Sequence, residues 1–305
     1  MTGVLGTVRQ WGSFVKVSHT LFALPFALTS MAVAARDNRG WPGLRIFLLI
    51  VVAMVTARTC AMTFNRIADR KFDKLNPRTA NRHLPAGHMT LTSAWTLFAL
   101  SALVFVGACY LLNGLCLALA PVALGAVCFY SLTKRFTDYT HVWLGIALAL
   151  APIGAWLAVK GEIQFWPMKE SFILPLILGL GVTFWLIGFD IIYALQDYEF
   201  DRAHKLHSLV VAWGPANALK AAFLAHMLTW GILMLFGFLN RFRVAFFIGM
   251  LIILGCLLLE HWLARRRRRK DWIQIAFFKL NVFISIVFLI VTLAEVAFPG
   301  FRLVR

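Results

Sequence analysis

Charge is scarce in this chain, and acidic charge is scarcest. Only 14% of the 305 residues are charged, and 13 Asp and Glu stand against 30 Lys and Arg. A soluble domain normally carries about 25% charged residues, so a water-exposed globular surface is excluded. Cysteine is equally sparse. Cys60, Cys109, Cys116, Cys128 and Cys256 fall in or near apolar stretches without metal-ligand spacing, so they read as small hydrophobes rather than a disulfide framework. The opening residues lack a short apolar core followed by a small-residue cleavage site, so the first helix is expected to serve as the membrane signal itself.

What is abundant is apolar sequence: 61% of residues are hydrophobic and the mean hydropathy is +0.78. That composition describes an all-α, polytopic membrane protein. A span needs about 20 residues, and stretches of low charge near 15–35, 45–66, 90–112, 114–133, 140–159, 171–193, 216–238, 244–263 and 273–297 predict nine transmembrane helices in a single domain, 1–305. The third and fourth arise from one uncharged run between Arg82 and Lys134, too long for one helix and broken at Asn113-Gly114 by turn chemistry.

The net charge of +17 would indicate nucleic acid in a soluble protein. Here the basic residues sit between apolar segments, so membrane lipid and topology account for them, and no nucleic-acid partner is expected. With nine spans, 18 Lys and Arg fall on the face holding the N-terminus and 9 on the other, which makes the first face cytoplasmic. The run Arg265 to Lys270 reads as a topology anchor.

Two acidic series stand out against this background. In RTCAMTFNRIADRKFD, Asn65, Asp69 and Asp73 are spaced by four and share a helical face, with Arg58 about two turns deeper on the same face. A charge at such depth is a functional candidate by default. Two carboxylates and a carboxamide suit a hard divalent cation such as Mg²⁺; the competing reading is a solvated helix end pairing locally with Arg66, Arg70, Lys71 and Lys74. The second series is Asp190, Asp197 and Asp201, spaced seven and four, which predicts a shared face at the end of the sixth helix. By the charge count both series leave the membrane at the cytoplasmic side. Two clusters of carboxylates meeting there need metal and a phosphate-bearing ligand to neutralise them. Arg82, Lys134, Arg135 and Lys205, with Tyr130 nearby, complete a candidate metal-diphosphate clamp.

At these residues the chain resembles the UbiA superfamily of intramembrane aromatic prenyltransferases. Asn65-x-x-x-Asp69-x-x-x-Asp73 is similar to the first family motif, Asp197-x-x-x-Asp201 preceded by Asp190 to the second, and YSLTKRFT and RHLPAG also resemble the family. The resemblance covers nearly the whole chain. It implies a central cavity ringed by helices and open sideways to lipid, capped by the two motifs. It further implies transfer of a polyprenyl group from a polyprenyl diphosphate to an aromatic acid in quinone biosynthesis, in the inner (plasma) membrane. Asp69, Asp73, Asp197 and Asp201, helped by Asn65 and Asp190, would hold Mg²⁺; Arg58, Asn65, Arg82, Tyr130, Lys134, Arg135 and Lys205 would bind substrate. The VSHT opening with His19, LALAPIGAW and DIIYALQDYEFD look more like a branch that prenylates a dihydroxynaphthoate than like the 4-hydroxybenzoate enzymes, many of which carry Arg-Pro entering the first helix. Two other classes fit less well. CDP-alcohol phosphotransferases use an Asp-Gly dipeptide that this chain lacks, and a transporter would carry midplane charges on several helices.

The charge split makes a topology prediction. A reporter fused after Arg305 is expected outside the cytoplasm and one inserted near Asn76 or Arg268 inside it. A cytoplasmic C-terminal reporter would show the helix count to be wrong, with the helices flanking Asn113 the first to revisit.

Overall fold

The computed structural model describes residues 11, 12, 14, 20–266 and 272–298. Among these every regular element is helical. The spans are α1 (Thr20–Ala34), α2 (Leu44–Leu75), α3 (Leu91–Leu112), α4 (Gly114–Thr133), α5 (Thr140–Lys160), α6 (Ile173–Ala194), α7 (Leu209–Leu239), α8 (Val244–Arg266) and α9 (Gln274–Ala297). Eight are long and apolar enough to cross a membrane, and α1 is a shorter apolar helix. The expected 15–35 span is therefore seen only from Thr20; His19 and residues 267–270 of the basic run lie outside the described residues.

Local chemistry explains the boundaries. Asn113 ends α3 and starts α4: its side chain accepts from the Cys116 amide at 2.9 Å, capping α4, while its Nδ2 donates to Leu157 O at 2.9 Å and ties the hairpin to α5. α2 runs past the expected end at 66 to Leu75, because its exposed Arg70, Lys71 and Lys74 can remain helical in water. α7 starts earlier than expected, at Leu209, and bends at Gly214-Pro215. There Gly214 takes φ 75°, a left-handed conformation open to glycine, and Pro215 starts a new helical segment.

α6 is the centre of the bundle. In its apolar window 61% of residues are buried, against 17% in α2 and α4, whose outer faces are left for lipid. α5 and α7 flank α6, α1 packs between α5 and α9, and α2, α3 and α4 form the remaining arc, with α1 touching α2 only sparsely. Small residues permit the close crossings, as expected where lipid removes the hydrophobic drive between helices. A Cβ on Gly188 of α6 would stand 2.1 Å from the His226 ring of α7, and one on Gly145 of α5 would stand 2.8 Å from Thr183 O.

Gly188→Ala is accordingly expected to destabilise the protein by about 1–3 kcal/mol through overpacking. Gly107→Ala, with nothing within 4 Å of the added Cβ, is expected to be neutral or stabilising by up to about 1 kcal/mol. Thermal unfolding in detergent decides between them, and equal midpoints for the two variants would refute the packing argument.

Candidate active site

α1 to α6 and Phe277 of α9 enclose a cavity of about 340 Å³. Its walls are apolar except at Arg58 on α2, Tyr130 on α4 and Asp190 on α6. Tyr130 and Asp190 lie in the last turns of their helices, so the polar groups gather toward the end at which α2, α4 and α6 leave the bundle. Arg58 sits beside Tyr130, and its Nε has no hydrogen-bond partner.

Beyond that end, each carboxylate of the two acidic series has a basic partner. Asp69 faces Arg135 at 3.6 Å, and Asp73 is held by Arg82 at 2.7 and 2.9 Å. Asp190 bonds His141 Nδ1 at 2.6 Å, and Lys134 Nζ reaches Asp201 at 3.2 Å. Arg78 grips Asp197 with Nε at 2.8 Å and Nη2 at 2.5 Å, and Asn76 donates to the same carboxylate at 3.1 Å. The first acidic series and its following loop are thus brought against the second, although more than a hundred residues separate them.

The loop after α2 is built for this. Thr79 Oγ1 donates to Asp73 O at 3.0 Å, and Asn76 Oδ1 accepts from the Arg78 amide at 2.9 Å, so the turn aims both Asn76 and Arg78 at Asp197. Burial alone would raise the Asp197 pKa, but the hydrogen bonds and charge of Arg78 outweigh it and hold the carboxyl below its ordinary value. Asp201 goes the other way: burial dominates, Lys134 offsets it only in part, and its pKa is raised. Burial likewise acts against the Lys134 ammonium, yet Asp201, Asp197 and Asp190 around it raise its pKa.

Several expectations need correction. Asp190, Asp197 and Asp201 do not share one continuous helical face: α6 stops at Ala194, and Asp197 flanks a separate short helix, Tyr198–Ala203, that carries Asp201. The spacing of four between Asp201 and Lys205 would put Lys205 one helical turn further on, but the helix does not continue that far. Lys205 lies past the end of that short helix in left-handed backbone, φ 54°, and is exposed. Local pairing of the first series with Arg66, Arg70, Lys71 and Lys74 is not what forms, since the partners of Asp69 and Asp73 come from Arg135 and Arg82. Asn65 donates to Asp69 at 3.0 Å, as its spacing of four allows. Among the described residues no three His, Cys, Asp or Glu groups converge on one point as a ready-made metal cage.

Arg78, Asn76 and His141 were not among the residues singled out from sequence. Each partners an acid far away in the chain, and the only local signal was their proximity to an acidic series or to a helix end. Arg66 also gains importance: it is 5% exposed, and its Nε and Nη1 have no partner. Cations therefore exceed carboxylates here, with Arg58 and Arg66 both lacking a carboxylate. A positively biased cap over an apolar cavity suits a ligand with an anionic head and an apolar tail.

Residues 23–286 match the UbiA prenyltransferase family. The chain belongs to the UbiA prenyltransferase family. It is 30% identical over 235 residues to the 4-hydroxybenzoate octaprenyltransferase of Coxiella burnetii strain CbuK_Q154, covering 76% of this chain and 78% of that protein. It is 30% identical over 230 residues to the Pseudomonas aeruginosa strain LESB58 enzyme of the same name, covering 75% and 74%. The UbiA homolog from Aeropyrum pernix K1 superposes with a TM-score of 0.79 at 29% identity, covering 89% of this chain and 96% of that one. At 19% identity, a UbiA homolog from Archaeoglobus fulgidus bound to DMAPP and Mg²⁺ shares the fold with a TM-score of 0.70, covering 94% and 99%. The chain is a UbiA-type prenyltransferase with an all-helical membrane fold, which among the described residues has eight membrane-length helices and one shorter apolar helix.

The Arg78–Asp197 clamp carries a pH prediction. The folded pKa of Asp197 is depressed, so the clamp's stabilisation is present above the unfolded value of about 4 and is lost as pH falls through the lower folded value. Arg78→Ala is expected to cost about 1–3 kcal/mol at neutral pH by leaving a buried carboxylate with only the Asn76 amide as donor, with a smaller deficit in acid. A deficit that does not shrink on acidification would contradict the clamp.

Proposed function

We propose that this prenyltransferase moves a polyprenyl group from a polyprenyl diphosphate to the ring of an aromatic acid in quinone biosynthesis, assisted by Mg²⁺. The observation that carries this reading is the interleaving of five carboxylates with a surplus of cations at the polar end of one apolar cavity. The donor set fits the metal: Asp69, Asp73, Asp197 and Asp201 are hard oxygen ligands, with Asn65 beside them and Asp190 on the cavity side. The unpartnered N–H groups of Arg66 and Arg58 fit an anion. When bound, Mg²⁺ supplies positive charge to the diphosphate oxygens as the leaving group departs.

The chain's own residues then divide the work. Arg82, Lys134 and Arg135 exchange carboxylate partners for phosphate oxygens, Arg66 offers N–H groups that have no partner to give up, and such charge-assisted contacts are strongest where water is absent. The apolar walls hold the prenyl chain and keep water from the allylic carbon, because hydrolysis is the competing reaction. Arg58 and Tyr130, at the polar end of the cavity, receive the carboxylate and hydroxyl of the acceptor. Lys205, exposed and off the helix, contributes only a solvated charge. The acceptor is a dihydroxynaphthoate-type acid or 4-hydroxybenzoate: the relatives' names point to the latter, and the LALAPIGAW and DIIYALQDYEFD stretches to the former. The distribution of basic residues supports a site at the cytoplasmic side of the inner membrane.

Purified protein supplied with Mg²⁺, a labelled prenyl diphosphate and a panel of aromatic acids tests the reading directly. Prenylation of one acid is expected, lost in EDTA and restored by Mg²⁺, while Asp69→Ala and Asp197→Ala abolish turnover in folded protein. Full activity in chelator would sink the metal assignment.

Kinetics separate the two halves of the site. Arg135→Ala is expected to cost roughly 1.5–3 kcal/mol of diphosphate interaction, appearing in kcat if the contact tightens on ionisation and in donor KM otherwise. Arg58→Ala is expected to raise the acceptor KM more than Arg135→Ala does. Donor-specific defects at Arg58 with acceptor-specific defects at Arg135 would reverse the assignment.

A further inference from the structure

α9 begins with a π-helical turn, Gln274–Lys279. Such a turn is rare, inserts one extra residue, and is frequent at functional sites. It also weakens the normal pairing of its carbonyls, and Asn281 attends to two of them, donating Nδ2 to Ala276 O at 2.9 Å and to Phe277 O at 3.1 Å. The same amide faces Glu260 Oε1 of α8 at 3.3 Å. Glu260 and Asn281 are both fully buried.

An ionisable side chain inside a membrane bundle is costly and by default a functional candidate. Glu260 nevertheless stands on α8, which contributes no residue to the cavity wall. What it reaches is Asn281, the residue that binds the π-turn's carbonyls. One extra residue rotates a helix by roughly 100°, which is enough to decide whether a side chain faces the cavity or a neighbouring helix. In this register Phe277 lines the cavity. Its ring lies 4.2 Å from Tyr193, 5.4 Å from Phe189 and 5.6 Å from Phe22. Tyr193 in turn accepts from Arg78 Nη1 at 2.9 Å, and Arg78 is the residue that grips Asp197. A continuous set of contacts therefore joins the buried Glu260–Asn281 pair to the acid cap.

We infer that Glu260 and Asn281 are positioning residues for the transfer reaction: they hold the π-turn in register, so that Phe277 packs on Tyr193 and closes the cavity where the prenyl chain meets the diphosphate. The inference rests on the proposed function. Its consequence is water exclusion at the allylic carbon. Loosening the pair lets water reach that carbon, and prenyl alcohol forms in place of prenylated acid.

The test uses the full chain in liposomes with geranyl diphosphate, Mg²⁺ and the accepted aromatic acid. Glu260→Leu and Asn281→Leu are each expected to raise the ratio of prenyl alcohol to prenylated acid by roughly tenfold to a hundredfold, as a misplacement near 1 Å can cost. Glu260→Gln, whose amide oxygen still accepts from Asn281, is expected to stay near the wild-type ratio. Phe277→Leu should reproduce the defect, and combining it with Asn281→Leu should add little. A second readout is independent of turnover: 4-fluorophenylalanine placed at position 277 should change its fluorine chemical shift in Asn281→Leu and not in Glu260→Gln. An unchanged product ratio with only a lower melting temperature overturns the inference, as do additive defects or an unmoved fluorine signal. If the fluorine signal moves while the wild type prenylates no acid, the proposed function fails and the positioning role stands.

Discussion

The contact between Arg78 and Asp197 is the one on which the cap depends. It joins the loop after α2 to the short helix after α6, and so converts two acidic series on different helices into one site. A bidentate guanidinium suits this role, since it fixes both the distance and the orientation of a carboxylate. Without it Asp197 would face the other carboxylates with no guanidinium of its own, and like charges raise one another's energy. The bundle below brings the ends of α2 and α6 to the same side, but packing of apolar helices does not by itself hold carboxylates together.

The same alternation of charge explains why so acid-poor a chain can afford its acids at a membrane boundary. Asp73, Asp197 and Asp201 are all buried, and burial of unpaired carboxylates would cost several kcal/mol each. Arg82, Arg78 and Lys134 answer them in turn, and Arg135 and His141 serve Asp69 and Asp190 at the margin. Every pair joins segments from different parts of the chain or from either side of a turn. The ion pairs therefore organise the polypeptide as well as preparing it for a ligand.

Much of this was legible in the residues. Apolar run length located the eight membrane-length helices and the shorter first one seen among the described residues, because span length is set by bilayer thickness rather than by tertiary packing; Asn113 broke the long run between Arg82 and Lys134 as its turn chemistry requires. The first acidic series was legible for the same reason, since spacing by four on a long helix survives folding. The second was legible only in part. Asp190 to Asp201 has helical spacing, but the chain turns between Ala194 and Tyr198, and the pattern cannot register that break. Arg78 was invisible as a site residue because its value lies in a partner 119 positions away, a distance at which single-sequence patterns carry no signal. Glu260 and Asn281 were likewise hidden within spans that read as plain apolar helix.

A cap built from closed ion pairs, rather than an open cluster of acids, also bears on how a long apolar donor could bind. Entry of a bare cation would leave Arg66 and Arg58 still unmatched, and entry of a bare anion would leave the carboxylates competing for the same arginines. On the proposed function, a metal ion and a diphosphate arriving together would satisfy both sets at once, the carboxylates released by their basic partners turning to the cation and those partners to phosphate oxygens. The exchange is close to neutral in charge, so its cost is mainly one of rearrangement, and the apolar tail can supply the drive by leaving water for the cavity at about 25 cal/mol per Å² buried. On the proposed function, charge alternation at the mouth and the apolar cavity behind it would act as one device, in which the head group is recognised only together with its counterion and the tail provides the affinity.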